Sequence, residues 1–431
     1  MFSVFKNAWK IQDLRKKLLF TAFILVIFRL GCEIPVPFLD AEAMDQLFAG
    51  YSADGNIFSY LNIMSGGAME QAGLFSLSIS PYINASIIMQ LLMVAIPRLE
   101  RLMKEDGERG RKIMEKWTRY LAIAFSFLLG FGYYTILKNA AGVVSADAGV
   151  FGALVIVFSF AVGAALVMWL GEQINDMGIG NGISMILFAG IIAGIPSTVW
   201  TVIANVRAGA LHWVIAIAVA LLLLVMIGFV VFVTNGERRI PVQYAKQVKG
   251  RKMYGGQNTN IPLKVNMVGV LPIIFAQSFV MLPATILNFF PGLKKTWFAG
   301  VVNALEVGGW IYTLLMFLLI IFFSYFYTVI SFNPVEVANN LKKNGGFIMG
   351  IRPGKPTADF ITKSLNRVTL IGALFLGLIS ALPNIAAMIN PGLSSVAIGG
   401  TTLLIVVGVA LELVKTLESQ MLMRHYKGFL E

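Results

Sequence analysis

Charge is scarce in this sequence. Only 13% of its 431 residues are Asp, Glu, Lys or Arg, whereas 57% are hydrophobic and the mean hydropathy is +0.78. So little charge excludes the usual water-soluble classes. Length alone would suggest about three soluble domains, but recurring apolar runs point instead to one polytopic membrane domain. Histidine is nearly missing, with His212 and His425 alone, so no His-rich metal site or proton relay can be built. The one cysteine, Cys32, excludes an intrachain disulfide framework and a cysteine-cluster metal site. The N-terminal MFSVFKNAWKIQDLRKK is amphipathic and basic. No small-residue cleavage site follows the first apolar run, so no removable signal peptide is expected.

Ionisable groups inside the apolar runs are equally sparse, although such groups usually mark ion or proton pathways. Arg29 and Glu33 stand four apart, the spacing of an i,i+4 pair. Glu412 falls near the end of the last run. There is no carboxylate pair, no Ser-His-Asp set and no P-loop. The GIGNG run at Gly178–Gly182 lacks the GK[ST] that a phosphate loop requires. These absences argue against an ATPase, an intramembrane protease and an ion-coupled carrier. No metal and no cofactor is expected, and a passive conduit needs neither.

What is present is length and grease. Ten runs are each long enough for about 30 Å of hydrocarbon: Leu18–Ile34, Phe75–Ile96, Trp117–Leu137, Val150–Leu170, Ile183–Ile203, Leu211–Thr234, Val265–Phe290, Gly308–Ile330, Val368–Met388 and Ile398–Val414. The first and last are short, and the seventh carries Pro272 and Pro283. Lysine and arginine set the orientation. The N-terminal segment holds five, loop 97–116 seven, loop 235–264 seven, loop 331–367 six and the C-terminal tail three, against four on the opposite side. Both termini are therefore expected in the cytoplasm. The net charge of +12 is absorbed by this loop asymmetry, so no direct DNA binding is expected.

The chain is organised around Phe75–Leu92, FSLSISPYINASIIMQLL. It is apolar yet punctuated by Ser76, Ser78, Ser80, Asn84, Ser86 and Gln90. Just upstream, Ile57–Met69 is too short and too Gly-rich to span a bilayer. Broken helices at membrane depth are tolerated where they line a cavity or are buried in protein. The long stretch is read as lining a pore, and the half-helix as blocking it. Ile79 and Ile83 share a helix face, as do Ile183 and Leu187. Ordinary packing accounts for most such pairs, but a lipid face would not also carry Ser80, Asn84 and Ser184. A collar of branched aliphatic side chains can form a dewetted seal.

Loops 235–264 and 331–367 are too long for simple connections. Alternation around Ile240, Val242 and Tyr244 suggests a hairpin arm, and Gly350, Pro353 and Gly354 suggest a turn presenting Arg352. They read either as solvated basic loops or as a docking platform for a large partner. Ten spans divide into five and five, and an odd-numbered repeat must be inverted relative to its twin. A short echo, Pro81-x-Ile83-x-Ala85 and Pro272-x-Ile274-x-Ala276, falls at the same rank in each half. An inverted-repeat secondary solute transporter is the alternative, but it calls for ion-coordinating groups at its broken helices.

Phe75–Leu92 and MWLGEQINDMGIGNGISMILFAG, Met168 to Gly190, resemble the two signature regions of the SecY family. The resemblance extends collinearly through RLGCEIPVP, PLKVNMVGVLPIIFA, NPVEVANNLKKNGGFIMGIRPGKPT, GGTTLLIVVGVALE and the C-terminal LESQMLMRHYKGFLE. It implies an all-α polytopic membrane protein with ten transmembrane helices in two inverted five-helix halves, 1–204 and 205–431, closing as a clamshell around an hourglass pore. The implied activity moves unfolded preproteins across the cytoplasmic membrane of a bacterium and releases membrane spans sideways into lipid. The implied pore ring is Ile79, Ile83, Ile183, Leu187, Ile274 and Ile405. The implied plug includes Ile57, Leu61, Ile63, Met64, Gly66, Gly67 and Met69. The implied lateral gate involves Ser80, Gln90, Gln277 and Ser278. Arg238, Arg239, Lys246, Arg352 and Lys355 would contact the motor ATPase SecA or the ribosome. The small subunits SecE and SecG, signal peptides and membrane lipid complete the implied partners.

Overall fold

The computed structural model describes residues 2–53, 62–105, 107–140, 142–145, 149–209, 212–244, 247–249, 252–254, 258–267, 269–289, 297–305, 309–389 and 399–427. The helices of the first part are α1 (Phe2–Lys10), α2 (Gln12–Cys32), α3 (Ala41–Ala53), α4 (Ser80–Ala95), α5 (Pro97–Glu105), α6 (Gly107–Asn139), α7 (Gly149–Met177) and α8 (Gly182–Arg207). Then come α9 (Trp213–Thr234), β1 (Glu237–Tyr244), β2 (Gln247–Lys249), β3 (Lys252–Tyr254) and β4 (Asn258–Lys264). The remainder is α10 (Leu271–Phe289), α11 (Trp297–Ala304), α12 (Trp310–Ser331), α13 (Pro334–Lys343), β5 (Gly346–Ile348), α14 (Lys355–Ile389) and α15 (Gly399–Lys427).

Among the described residues each expected span overlaps one helix: α2, α4, α6, α7, α8, α9, α10, α12, α14 and α15 in turn. Among the described residues, α6, α7, α8, α9, α12 and α14 are long and apolar enough to cross a bilayer, and α4 and α10 are shorter apolar helices. The fold is that of a polytopic all-α membrane protein. α9 is apolar all round, with only Met226 and Val230 buried along it, so nearly its whole girth faces outward.

Local chemistry sets the boundaries. The second span begins as a helix at Ser80 rather than Phe75, because Pro81 takes the first helical turn, where its missing N–H costs nothing. Residues 73–79 run as turns, with Ser78 at φ 47°. Pro272 likewise falls in the first turn of α10, whereas Pro283 lies inside it. Asn181 and Asn333 cap α8 and α13 by accepting from the backbone N–H groups of Ile183 and Ser184, and of Val335 and Glu336. The irregular 73–79 backbone lies hard against α7. A Cβ on Gly163 would stand 2.0 Å from the Leu74 carbonyl oxygen, so a side chain there would displace it.

The hairpin arm is present, and it is larger than alternation alone suggests. β1 pairs antiparallel with β4, placing Ile240 opposite Ile261, and also with β5, placing Val242 opposite Ile348. β5 belongs to loop 331–367, so the two long loops share one sheet of order β4-β1-β5. Ile240, Val242, Leu263, Leu341, Ile348, Ile361 and Leu365 give that unit its own apolar core. The GIGNG run is a packed corner between α7 and α8. The Ile179 N–H donates to Thr21 Oγ1 at 3.1 Å, and the Gly182 N–H donates to Asn175 Oδ1 at 2.7 Å.

Candidate functional site

Four regions of chain contribute the expected ring residues to one large apolar cluster. Ile79 caps α4 and Ile83 follows one turn later, its N–H donating to the Ile79 carbonyl at 3.0 Å. Ile183 and Leu187 occupy the first two turns of α8, Ile274 the first turn of α10, and Ile405 the second turn of α15. All six belong to a single cluster, in which Ile79, Ile83, Leu187, Ile274 and Ile405 are buried and Ile183 is half-buried. None of these six side chains carries a donor, an acceptor or a charge.

The segment after residue 61 packs against this cluster. Residues 62–65 are helical, and turns follow to Glu70. Ile57 and Leu61 lie outside the described residues. Ile63 packs on the cluster, Met64 and Met69 are buried, and Gly66 and Gly67 adopt φ of 73° and 85°. The backbone carbonyls are taken up one by one, as irregular chain at this depth requires. Arg29 donates to the Gly66 carbonyl, and Cys32 Sγ lies 3.4 Å from the Ser65 carbonyl. Ser78 Oγ reaches the Met64 carbonyl at 3.4 Å, and Ser76 Oγ donates to the Ala68 carbonyl at 3.0 Å. Two of the serines read as pore-facing punctuation therefore hold this segment. Gly190 of α8 is where the segment rests, since a Cβ there would meet the Met64 carbonyl oxygen at 2.8 Å and the Gly66 nitrogen at 3.3 Å.

The far end of the segment is fixed by a polar knot. Asn62 Nδ2 donates to Glu70 Oε2 at 2.8 Å, and the Glu70 N–H returns a bond to Asn62 Oδ1 at 3.1 Å. Burial pushes the Glu70 carboxyl up from its ordinary range, and the adjacent Asp45 carboxyl adds to the rise while Asn62 opposes it. Arg29 also makes the expected i,i+4 pair with Glu33 at 2.7 Å. That spacing gave no sign of the bond to Gly66. A second ion pair, Arg119 of α6 to Glu172 of α7 at 2.5 Å, was likewise unread.

Beside the centre a cavity of about 750 Å³ opens between α4, α6 and α10. Ser80, Asn84, Gln277 and Ser278 line it among apolar neighbours, with Met64 and Met69 at one end. Ser278 Oγ donates back to the Ile274 carbonyl at 3.0 Å. Gln90 and Gln277 are not joined to one another. Gln277 is paired with Tyr312 of α12, whereas Gln90 accepts from the hydroxyl of Tyr327 on α12 at 2.6 Å. Tyr327 was missed because its helix reads as an unbroken apolar run.

On the loop unit, Arg238, Arg239, Arg352 and Lys355 are exposed, and Lys246 lies outside the described residues. Arg239 Nε pairs with Glu237 at 2.7 Å. The turn bearing Arg352 is held by Thr357 Oγ1, which donates to the Arg352 carbonyl at 2.8 Å. Gly350 and Gly354 adopt φ of 77° and 98° on either side of it.

Comparisons with known proteins identify the family and the fold. The family model described as SecY matches residues 73–414. The protein translocase subunit SecY of Streptomyces coelicolor is 45% identical over 442 residues, covering 100% of both chains. That of Mycobacterium tuberculosis is 43% identical over 447 residues, again covering 100% of both. Among solved structures, a protein-conducting channel is similar with a TM-score of 0.66 at 19% identity, covering 94% of this chain and 92% of that one. A study of the SecY plug domain gives a TM-score of 0.66 at 20% identity with the same coverage. Sec61 in a canine ribosome-channel complex gives 0.60 at 17%, also with that coverage.

Proposed function

The chain belongs to the SecY family, and we propose that it forms the pore of a protein-conducting channel in a bacterial membrane. Unfolded preproteins would pass through it, and apolar spans would leave it sideways. It is a multi-pass membrane protein and a translocase subunit, with no catalytic role of its own. What supports the pore reading is that six aliphatic side chains from four regions of chain belong to one apolar cluster, against which Ile63 and Met64 also pack. Ile79, Ile83, Ile183, Leu187, Ile274 and Ile405 form the constriction, and the described plug residues Ile63, Met64, Gly66, Gly67 and Met69 seal it. Residues 1–204 and 205–431 act as the two halves of the clamshell. The cavity flanked by Ser80, Gln277 and Ser278, with Gln90 beyond it, marks the lateral opening. A solute carrier would need polar coordination at the centre, and the six aliphatic side chains supply none.

Both termini and the β4-β1-β5 unit lie on the cytoplasmic side, which the basic loops favour. SecA or the ribosome docks on Arg238, Arg239, Arg352 and Lys355, and SecE and SecG are the companion small subunits. Shared strands make the two loops one rigid platform, which supports docking as a single surface. Co-purification from mild detergent is the test of the assembly. Recovery of a motor ATPase and of small one- to three-span subunits with the full chain is expected, and their absence from an intact, folded preparation would overturn the assignment. Transport of a preprotein into proteoliposomes carrying that assembly is expected. Uptake of small solutes in place of polypeptide would favour the carrier.

A further inference from the structure

The amphipathic, basic N-terminal stretch belongs neither to the central apolar cluster nor to the loop unit. α1 and α2 do not form one rod. The chain breaks at Ile11, whose backbone is extended at φ −88° and ψ 114°, so α1 leaves the axis of the first span. One edge of α1 is dry against the protein. Ala8 is fully buried, and Val4 and Ile11 pack with it against Leu14 of α2, Ile179 of the α7–α8 corner and Leu417 of α15. Leu413 and Met421 of α15 complete that contact. Leu14 stands four residues before the first expected span and Leu417 three residues after the last. The contact therefore sits where both helices leave the hydrocarbon.

Helical rotation puts Phe5 and Trp9 on the arc next to that dry edge, and Lys6 and Lys10 on the arc beyond. Phe5 and Trp9 are 38% and 50% exposed, one turn apart, so a bare aromatic edge runs along the helix. Lys6 and Lys10 are exposed, as is Asn7 on the opposite side. Moving away from the protein, α1 is apolar and buried, then aromatic and bare, then basic. That order fits a helix lying in a membrane interface, with its rings at headgroup level and its ammonium groups among the phosphates. The first seventeen residues carry five Lys and Arg against Asp13 alone, which complements an anionic surface. We propose that α1 docks on anionic lipid headgroups of the leaflet on the basic-loop side, Phe5 and Trp9 entering the headgroup boundary and Lys6 and Lys10 meeting phosphate. The proposal needs the multi-pass fold and does not need the pore. The dry edge of α1 joins the helices of the first and last spans, so docking braces the two ends of the chain against each other. Anionic lipid is thereby a ligand that steadies the contact of α2 with α15.

The full chain, with the subunits that co-purify with it, would be reconstituted in vesicles of phosphatidylcholine alone or of phosphatidylcholine mixed with phosphatidylglycerol. On a Cys32→Ala background, Phe5→Cys, Trp9→Cys and Asn7→Cys would each carry one spin label, so that one aromatic anchor always stays in place. In the anionic vesicles, labels at positions 5 and 9 should collide with oxygen, which concentrates in hydrocarbon, more than with a water-soluble nickel chelate. The label at position 7 should do the reverse. Lys6→Gln and Lys10→Gln should each lower the ratio of embedded to aqueous label at position 9 about fivefold, and added salt should lower it with both lysines present. Labels at 5 and 9 that stay open to nickel in the anionic vesicles would overturn the proposal. Equal shielding in neutral vesicles, or in detergent with the subunits bound, would also overturn it, because a protein partner rather than lipid would then cover the edge. Failure of the co-purification with this docking intact would sink the channel assembly alone.

Discussion

At the scale of single residues, the contacts around Met64 are the most sensitive. Gly190 meets backbone rather than a flexible side-chain tip, so neither neighbour can yield easily. Gly190→Val should displace residues 62–67 and cost about 1–3 kcal/mol through overpacking. The expected readout is raised ion conductance in planar bilayers with the helical fold retained, and an unchanged resting conductance would contradict it. Leu187→Ile conserves volume and should change stability by less than about 1.5 kcal/mol, leaving the resting seal intact. Leu187→Asp places a charge in the collar and should make the same bilayers leak. The pairing of Ile79 with Ile83 and of Ile183 with Leu187 was legible because i,i+4 spacing beside serine and asparagine is a local signal, whereas Ile274 and Ile405 came only from the family resemblance. The bond between Tyr327 and Gln90 was not legible, because its partners are 237 residues apart and nothing local announces the pairing. Ser76 and Ser78 show the opposite failure: their polarity was visible, but their direction depended on where the 64–68 carbonyls would fall.

At the scale of elements, residues 62–70 are held by α2 at one side and by the Asn62–Glu70–Asp45 knot at the other. A carboxyl whose folded pKa is raised binds protons more tightly when folded. Its contribution is full below the ordinary carboxylate range and is lost as pH rises through the raised value. The segment should therefore be held more firmly below the ordinary carboxylate range than above the raised value. Ion leak should rise across that interval, and Glu70→Gln should flatten the dependence. A slope equal to the unaltered chain's in that variant would contradict the assignment. Arg29→Gln removes the charged donor to Gly66 and should speed amide exchange through residues 62–67. Protection equal to the unaltered chain's would show that Arg29 does not hold the segment. The element boundaries that the sequence misplaced have one cause. Residues 73–79 are apolar enough to read as helix, but Pro81 and the approach of Gly163 impose turns.

At the scale of the whole molecule, ten apolar runs and their flanking lysines and arginines were legible because a bilayer imposes length and charge rules on every span. The shared sheet was not, since three residues of β5 carry too little pattern to reveal a partner strand a hundred residues upstream. That sheet makes Arg352 part of a rigid platform with Arg238 and Arg239. Arg352→Glu should abolish motor-driven transport while leaving thermal stability within about 0.5 kcal/mol, as for an exposed surface change. Normal transport by that variant would remove Arg352 from the docking surface. The account stands on the collar surrounding a moving polypeptide. With Cys32→Ala as background, single cysteines at Ile79, Ile83, Ile183, Leu187, Ile274 and Ile405 would be offered to a stalled preprotein bearing one cysteine. Disulfide formation at all six positions, with none at the outward-facing Leu224 or Val225 of α9, is the result expected. Equal capture at α9, or no capture at the six, would contradict it.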